Sequence, residues 1–84
     1  MKITIRYFSW IRIKMKIGSE IIETSDNIRF SEFKDFLKST NPIFVEIFKD
    51  KSVKYFLNLT EIVEPTINLK DGDEIAFLPP VTGG

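Results

Sequence analysis

Only one segment of this sequence has an unambiguous helical period. Phe30, Phe33, Phe36 and Leu37 recur at three- and four-residue intervals, with Glu32, Lys34, Asp35 and Lys38 between them. That is the pattern of a helix with one buried face, and the three phenylalanines are read as core. Most of the remaining apolar residues alternate with polar ones, the period of a strand. One helix covers one face of one sheet, so the pattern predicts an α+β chain: a mixed sheet of four to five strands with one main helix on one face.

Along the chain, Ile3, Ile5 and Tyr7 alternate with Lys2, Thr4 and Arg6, which predicts a first strand with one buried face. Phe8 falls on its polar face. Ser9 to Gly18 is open to two readings. Ile11, Ile13, Met15 and Ile17 alternate like a strand, while Trp10, Ile13 and Ile17 also fit helical spacing. Gly18-Ser19 reads as a turn and Glu20 to Thr24 as a second strand. The helix leads in at Ser25-Asp26-Asn27 and ends at Asn41-Pro42. Ile43, Phe44, Ile47 and Phe48 allow one further apolar turn. Val53 to Leu59 is a third strand, Thr60 to Val63 a short fourth, Asp71-Gly72 a tight turn, and Glu74 to Leu78 the last strand.

A chain of 84 residues has one thin core, and eight Phe, two Tyr and one Trp make it aromatic. Twelve basic residues balance twelve acidic ones, which argues against nucleic-acid binding. There is no Cys and no His. A disulfide, a thiol nucleophile, a thiolate or imidazole metal site and the commonest general base are thereby removed. The chain is expected to bind no metal or cofactor and to be no enzyme on its own. Asp73 and Glu74 are adjacent carboxylates, but neighbours in a strand point to opposite faces, so they form no catalytic dyad. No apolar run reaches membrane-spanning length, and Met1-Lys2 leads into alternation rather than a signal peptide; the cytoplasm is the expected location.

The chain ends Pro79-Pro80-Val81-Thr82-Gly83-Gly84. Two prolines cannot continue a sheet ladder, and they stiffen the residues beyond them. This divides the chain into a domain, residues 1–78, and a flexible tail, residues 79–84. Five steps beyond Pro79 at roughly 3.3–3.6 Å each give a reach of about 17 Å. Two terminal residues without a Cβ can enter a tunnel too narrow for side chains. A frayed end or a cloning scar is the plainer alternative; Gly-Gly ends about one chain in 200 by chance. A functional arm would offer the Gly84 carboxylate, which becomes an electrophile once coupled to AMP.

Leu69 to Gly84, with its Asp-Gly-Asp-Glu turn, apolar strand and Pro-Pro-Val-Thr-Gly-Gly end, resembles the C-terminal signature of the small subunit of molybdopterin synthase. Tyr7-Phe8 with Ile11-Arg12, and Asn58 followed by Thr60, also resemble that family. The resemblance implies the ubiquitin-like β-grasp fold and a short helix after the first strand. It implies a sulfur carrier in molybdopterin (molybdenum cofactor) biosynthesis. Gly84 would be adenylated by a ubiquitin-activating-type enzyme using ATP and converted to a thiocarboxylate by a sulfurtransferase. Pro80, Val81, Thr82, Gly83 and Gly84 would then enter the large subunit of molybdopterin synthase, where the sulfur is donated to cyclic pyranopterin monophosphate. Related carriers for thiamine or tRNA thiolation, and archaeal ubiquitin-like modifiers conjugated to lysines, share the Gly-Gly end. Alternation along the first and last strands places Phe8 and Leu78 outward together, and with Pro79 they are the expected partner-binding patch.

Overall fold

Eight elements succeed one another in the structure, a computed structural model that describes residues 1–80. They are β1 (Lys2–Tyr7), α1 (Ser9–Met15), β2 (Ser19–Glu23), α2 (Phe30–Thr40), α3 (Ile43–Lys49), β3 (Lys54–Leu57), β4 (Thr60–Glu61) and β5 (Glu74–Leu78). The sheet order is β2-β1-β5-β3-β4. β1 and β5 run parallel at its centre, and the other pairs are antiparallel. This is the mixed sheet expected from the pattern, with five strands in the β-grasp arrangement that the resemblance implies.

Register decides which residues meet. Ile5 lies beside Ile75 and Tyr7 beside Phe77. Leu57 and Tyr55 flank the same two β5 residues from the other side. These rows point to the helices and close a core with Ile3, Ile11, Phe30, Phe33, Leu37, Phe44 and Ile47, all buried. Phe77 sits at its centre: the rings of Tyr7, Tyr55, Phe44 and Phe48 surround it at centroid distances of 5.0–6.3 Å, those of Tyr7, Tyr55 and Phe44 edge-on. Lys34 braces α2 from outside, its Nζ 5.4–5.5 Å from the rings of Phe30, Phe48 and Tyr55.

The main helix is held at both ends. The Glu32 carboxylate accepts the backbone N–H of Arg29 at 2.9 Å, satisfying a donor just before the first turn. At the other end the Asn41 N–H donates to the Leu37 carbonyl, while Asn41 Oδ1 accepts from Ile43 N–H at 3.0 Å. Asn41-Pro42 therefore ends α2 and starts α3. The single apolar turn expected at Ile43–Phe48 is a seven-residue helix, because Pro is tolerated at a helix start.

Within Ser9 to Gly18 the chain forms a short helix over Ser9–Met15 and then a turn, and no strand. The helix's buried residue is Ile11; Ile13, which both sequence patterns used, is 79% exposed. Lys16, left-handed at φ 67°, donates its N–H to Arg12 O and stops the helix after two turns. Phe36, expected in the core, is half-buried at the edge of α2. Among the described residues no helix is long and apolar enough to cross a membrane.

Candidate functional site

Because β1 and β5 are parallel neighbours, both end at the same edge of the domain. The tail therefore leaves the sheet beside Phe8, the residue after β1. Pairing continues across β5 to β3, where Leu78 lies opposite Lys54 and Ala76 opposite Phe56. Paired residues share a face. The face turned away from the helices thus carries Arg6, Ala76, Phe56 and Leu78 in adjoining rows, with Phe8 at their end.

Exposure grades this group. Phe8 is 38% exposed, and Leu78, Ala76 and Phe56 are half-buried. Pro79, expected to face a partner, is buried in the free chain. The alternation that puts Leu78 on the open face turns the next residue back toward the domain. Pro80 is exposed. Val81, Thr82, Gly83 and Gly84 lie outside the described residues.

The charges on this face are already matched. Arg6 Nε donates to Glu74 Oε1, and Lys54 Nζ lies 3.7 Å from Glu61 Oε2. Exposed pairs of this kind add little stability, but they leave the apolar side chains as the uncompensated feature. Phe56 and Ala76 were missed in the sequence; only the β3–β5 register, which a single chain does not announce, places them beside Leu78.

The segment entering β5 is fixed by side chains. Asn58, left-handed at φ 47° in the β3–β4 turn, accepts the Glu74 N–H through Oδ1 and donates from Nδ2 to Asp73 Oδ1, both at 2.9 Å. Asp73 Oδ2 accepts the Lys70 N–H at 2.7 Å, while Gly72 takes φ 87° in the turn. Asp73 is thus a structural acceptor. Its role and that of Asn58 could be anticipated only as turn chemistry.

Below the open face, Tyr7 is almost fully buried and its hydroxyl donates to the Glu20 carboxylate. Burial first, and then that carboxylate, push the Tyr7 hydroxyl well above its ordinary pKa, so it stays protonated. Among the described residues no cluster of Asp and Glu is arranged to hold a metal.

Three comparisons bear on the chain. A model of the ThiS family matches residues 5–84. No curated protein sequence matches significantly. Among solved structures, a Pyrococcus furiosus protein assigned as molybdopterin converting factor subunit 1 is 25% identical, with a TM-score of 0.81 over 96% of this chain and 99% of its own. The complex of subunits 1 and 2 of molybdopterin-converting factor from Helicobacter pylori contains a chain 27% identical, TM-score 0.69, covering 100% of both. SAMP1 of Haloferax volcanii is 18% identical with a TM-score of 0.84 over 100% of both, a likeness of fold.

Proposed function

Since the chain belongs to the ThiS family, we propose that it is a sulfur carrier working in molybdopterin synthesis, with Gly84 as the group that carries sulfur. The observation that supports this most is the Pro-Pro-Val-Thr-Gly-Gly end, set directly after the central strand β5 of a β-grasp domain. The carboxylate attacks the α-phosphate of ATP, releasing pyrophosphate and leaving an acyl adenylate. A persulfide of a sulfurtransferase displaces AMP, and a second thiol of that partner attacks the outer sulfur of the resulting acyl disulfide, forming a disulfide within the partner and releasing the thiocarboxylate. This chain supplies no Cys or His to either step. Its contribution is presentation: β5 fixes the root, Pro79 anchors it, and Pro80 to Gly84 deliver the terminus. The open face around Phe8, Phe56, Ala76 and Leu78 serves as the handle by which an adenylating enzyme and a large subunit hold the domain. The likeness to a chain of the Helicobacter pylori complex of subunits 1 and 2 supports a partner within a complex of that type.

Intact mass after incubation with an activating enzyme, ATP and a sulfur source tests the proposal. Exchange of one carboxyl oxygen for sulfur supports it. High-mass lysine conjugates in lysate, without that exchange, point instead to a protein modifier. No change with any cognate activating enzyme removes both.

A further inference from the structure

The sheet has a second feature on the edge away from β3 and β4. β2 is the outermost strand there, and among the described residues nothing pairs with its outer side. Met1 and Thr24 exchange N–H and C=O bonds at 2.6 and 2.9 Å, and Tyr7 N–H donates to Gly18 O. In the observed register this assigns the even-numbered β2 residues to β1. Ser19, Ile21 and Glu23 therefore turn their N–H and C=O groups outward. Such an edge accepts a further strand.

Beside the edge runs an open groove of about 380 Å³ between β2 and the α2–α3 junction. Phe36 and Phe44 form its apolar floor, and Glu20, whose carboxylate also accepts the Tyr7 hydroxyl, stands on its β2 side; Glu23, at the end of the same strand, turns its side chain to the opposite face. Phe36 is the α2 phenylalanine that does not enter the core, and Ile21 is 64% exposed on the strand beside it. Lys2 approaches Glu23 only to 3.9 Å, with both side chains mostly exposed.

We propose that β2 and this groove dock an extended peptide segment of a partner protein, added antiparallel as a sixth strand, with basic residues flanking two apolar ones. The register fixes the chemistry. Opposite Glu23, Ile22, Ile21, Glu20 and Ser19, a complementary segment reads basic, apolar, apolar, basic, small polar. Its first apolar residue turns into the groove against Phe36. Its basic residues meet the two carboxylates as cross-strand pairs. Main-chain hydrogen bonds from Ser19, Ile21 and Glu23 supply affinity, and the groove supplies specificity. A second copy of this chain fits less well, because pairing β2 with itself about Ile21 gathers four glutamates on two strands. The site is separate from the tail root, so it does not depend on the sulfur-carrier reading.

The test is titration of the isotope-labelled full chain with the acetylated, amidated peptide Lys-Val-Val-Lys-Thr, monitored by amide NMR. Saturable shifts at Ser19, Ile21 and Glu23, little change at Phe8 and Leu78, and no response to Glu-Val-Val-Glu-Thr are expected. Glu23→Lys should weaken binding of the basic peptide at least tenfold. Ile21→Pro removes an N–H that β1 does not use, so it should abolish binding while the fold persists; if it does not fold, Glu23→Lys decides. Absence of saturation, equal binding of the acidic peptide, or unchanged affinity in Glu23→Lys overturns the proposal. Concentration-dependent shifts of the same amides without peptide assign the edge to a second copy and overturn it too.

Discussion

The two faces of the sheet are built from the same strands and do opposite work. On β5, Ile75 and Phe77 point into the helices and are fully buried, while Ala76 and Leu78 point away and are partly exposed. On β1, Tyr7 is sealed into an aromatic cluster and its neighbour Phe8 is left at the surface. The covered face has no buried polar or charged residue among those described. The open face pairs its charges at the surface and keeps apolar side chains around the tail root. One face therefore holds the fold and the other is free to hold something else. The contrast is worth breaking, because a one-residue slip of β5 would exchange the two roles.

Phe77→Glu should have the largest effect. It removes the ring at the centre of the aromatic cluster and buries a charge among apolar residues. The cost should exceed about 4 kcal/mol, against a total stability of about 5–10 for a domain of this size. A denaturant melt should find most of the stability gone, with the midpoint moved far toward zero denaturant. Leu78→Glu, one residue on, should cost only about 1 kcal/mol, since the new carboxylate stays hydrated at a half-open position. Its effect should fall on docking: a binding titration with the activating enzyme should show at least a tenfold loss. If Leu78→Glu unfolds the chain while Phe77→Glu folds and fails to bind, the assignment of faces is inverted.

Alkaline pH should press on the covered face through its two tyrosines. Burial, with a smaller contribution from the Asp50 charge, pushes the Tyr55 hydroxyl up to about 12, and Tyr7 is raised further. Both groups lose their proton more readily in the unfolded chain, near the ordinary value of 10.0. Stability should therefore be flat on this account below pH 10 and fall as pH rises from there through 12. Tyr55→Phe should shallow the fall, measured as melting temperature against pH. A curve unchanged by that substitution would mean Tyr55 is not sealed by its neighbours.

Deleting Gly84 should have the smallest effect on folding, within about 0.5 kcal/mol. The core ends with Phe77, and Pro79 is the last buried residue described. Activation by ATP should be lost entirely. A marked drop in melting temperature would make the terminus structural and remove it from the site.

How much of this could be read from the chain varies with what each segment packs against. β1 and β5 were legible because each has one buried face, so burial and alternation coincide. The Asp71-Gly72 turn and the Pro79-Pro80 stop were legible because those residues restrict the backbone by themselves. Ser9–Met15 was not. Ile13 and Ile17 carry the apolar pattern but stay at the surface, so the hydrophobic period there does not report burial. The helix is set by Ile11 entering the core and by the left-handed stop at Lys16. α3 was underestimated because Pro42 reads as a terminator when it is also a good first residue. The open face was half legible: Phe8 and Leu78 follow from alternation, whereas Phe56 and Ala76 required the pairing of β3 with β5. The burial of Pro79 follows from tertiary packing that two adjacent prolines do not disclose.

Sulfur carriage by Gly84 stands or falls on delivery of the sulfur to a large subunit. The thiocarboxylated chain is mixed with a purified large subunit of molybdopterin synthase and cyclic pyranopterin monophosphate. Intact mass of the chain and formation of the dithiolene are monitored together. The chain should return to its carboxylate mass in step with molybdopterin formation, and Leu78→Glu, once thiocarboxylated, should slow both. A thiocarboxylate that persists beside an active large subunit, or molybdopterin formed at the same rate without it, would rule out sulfur donation by this chain.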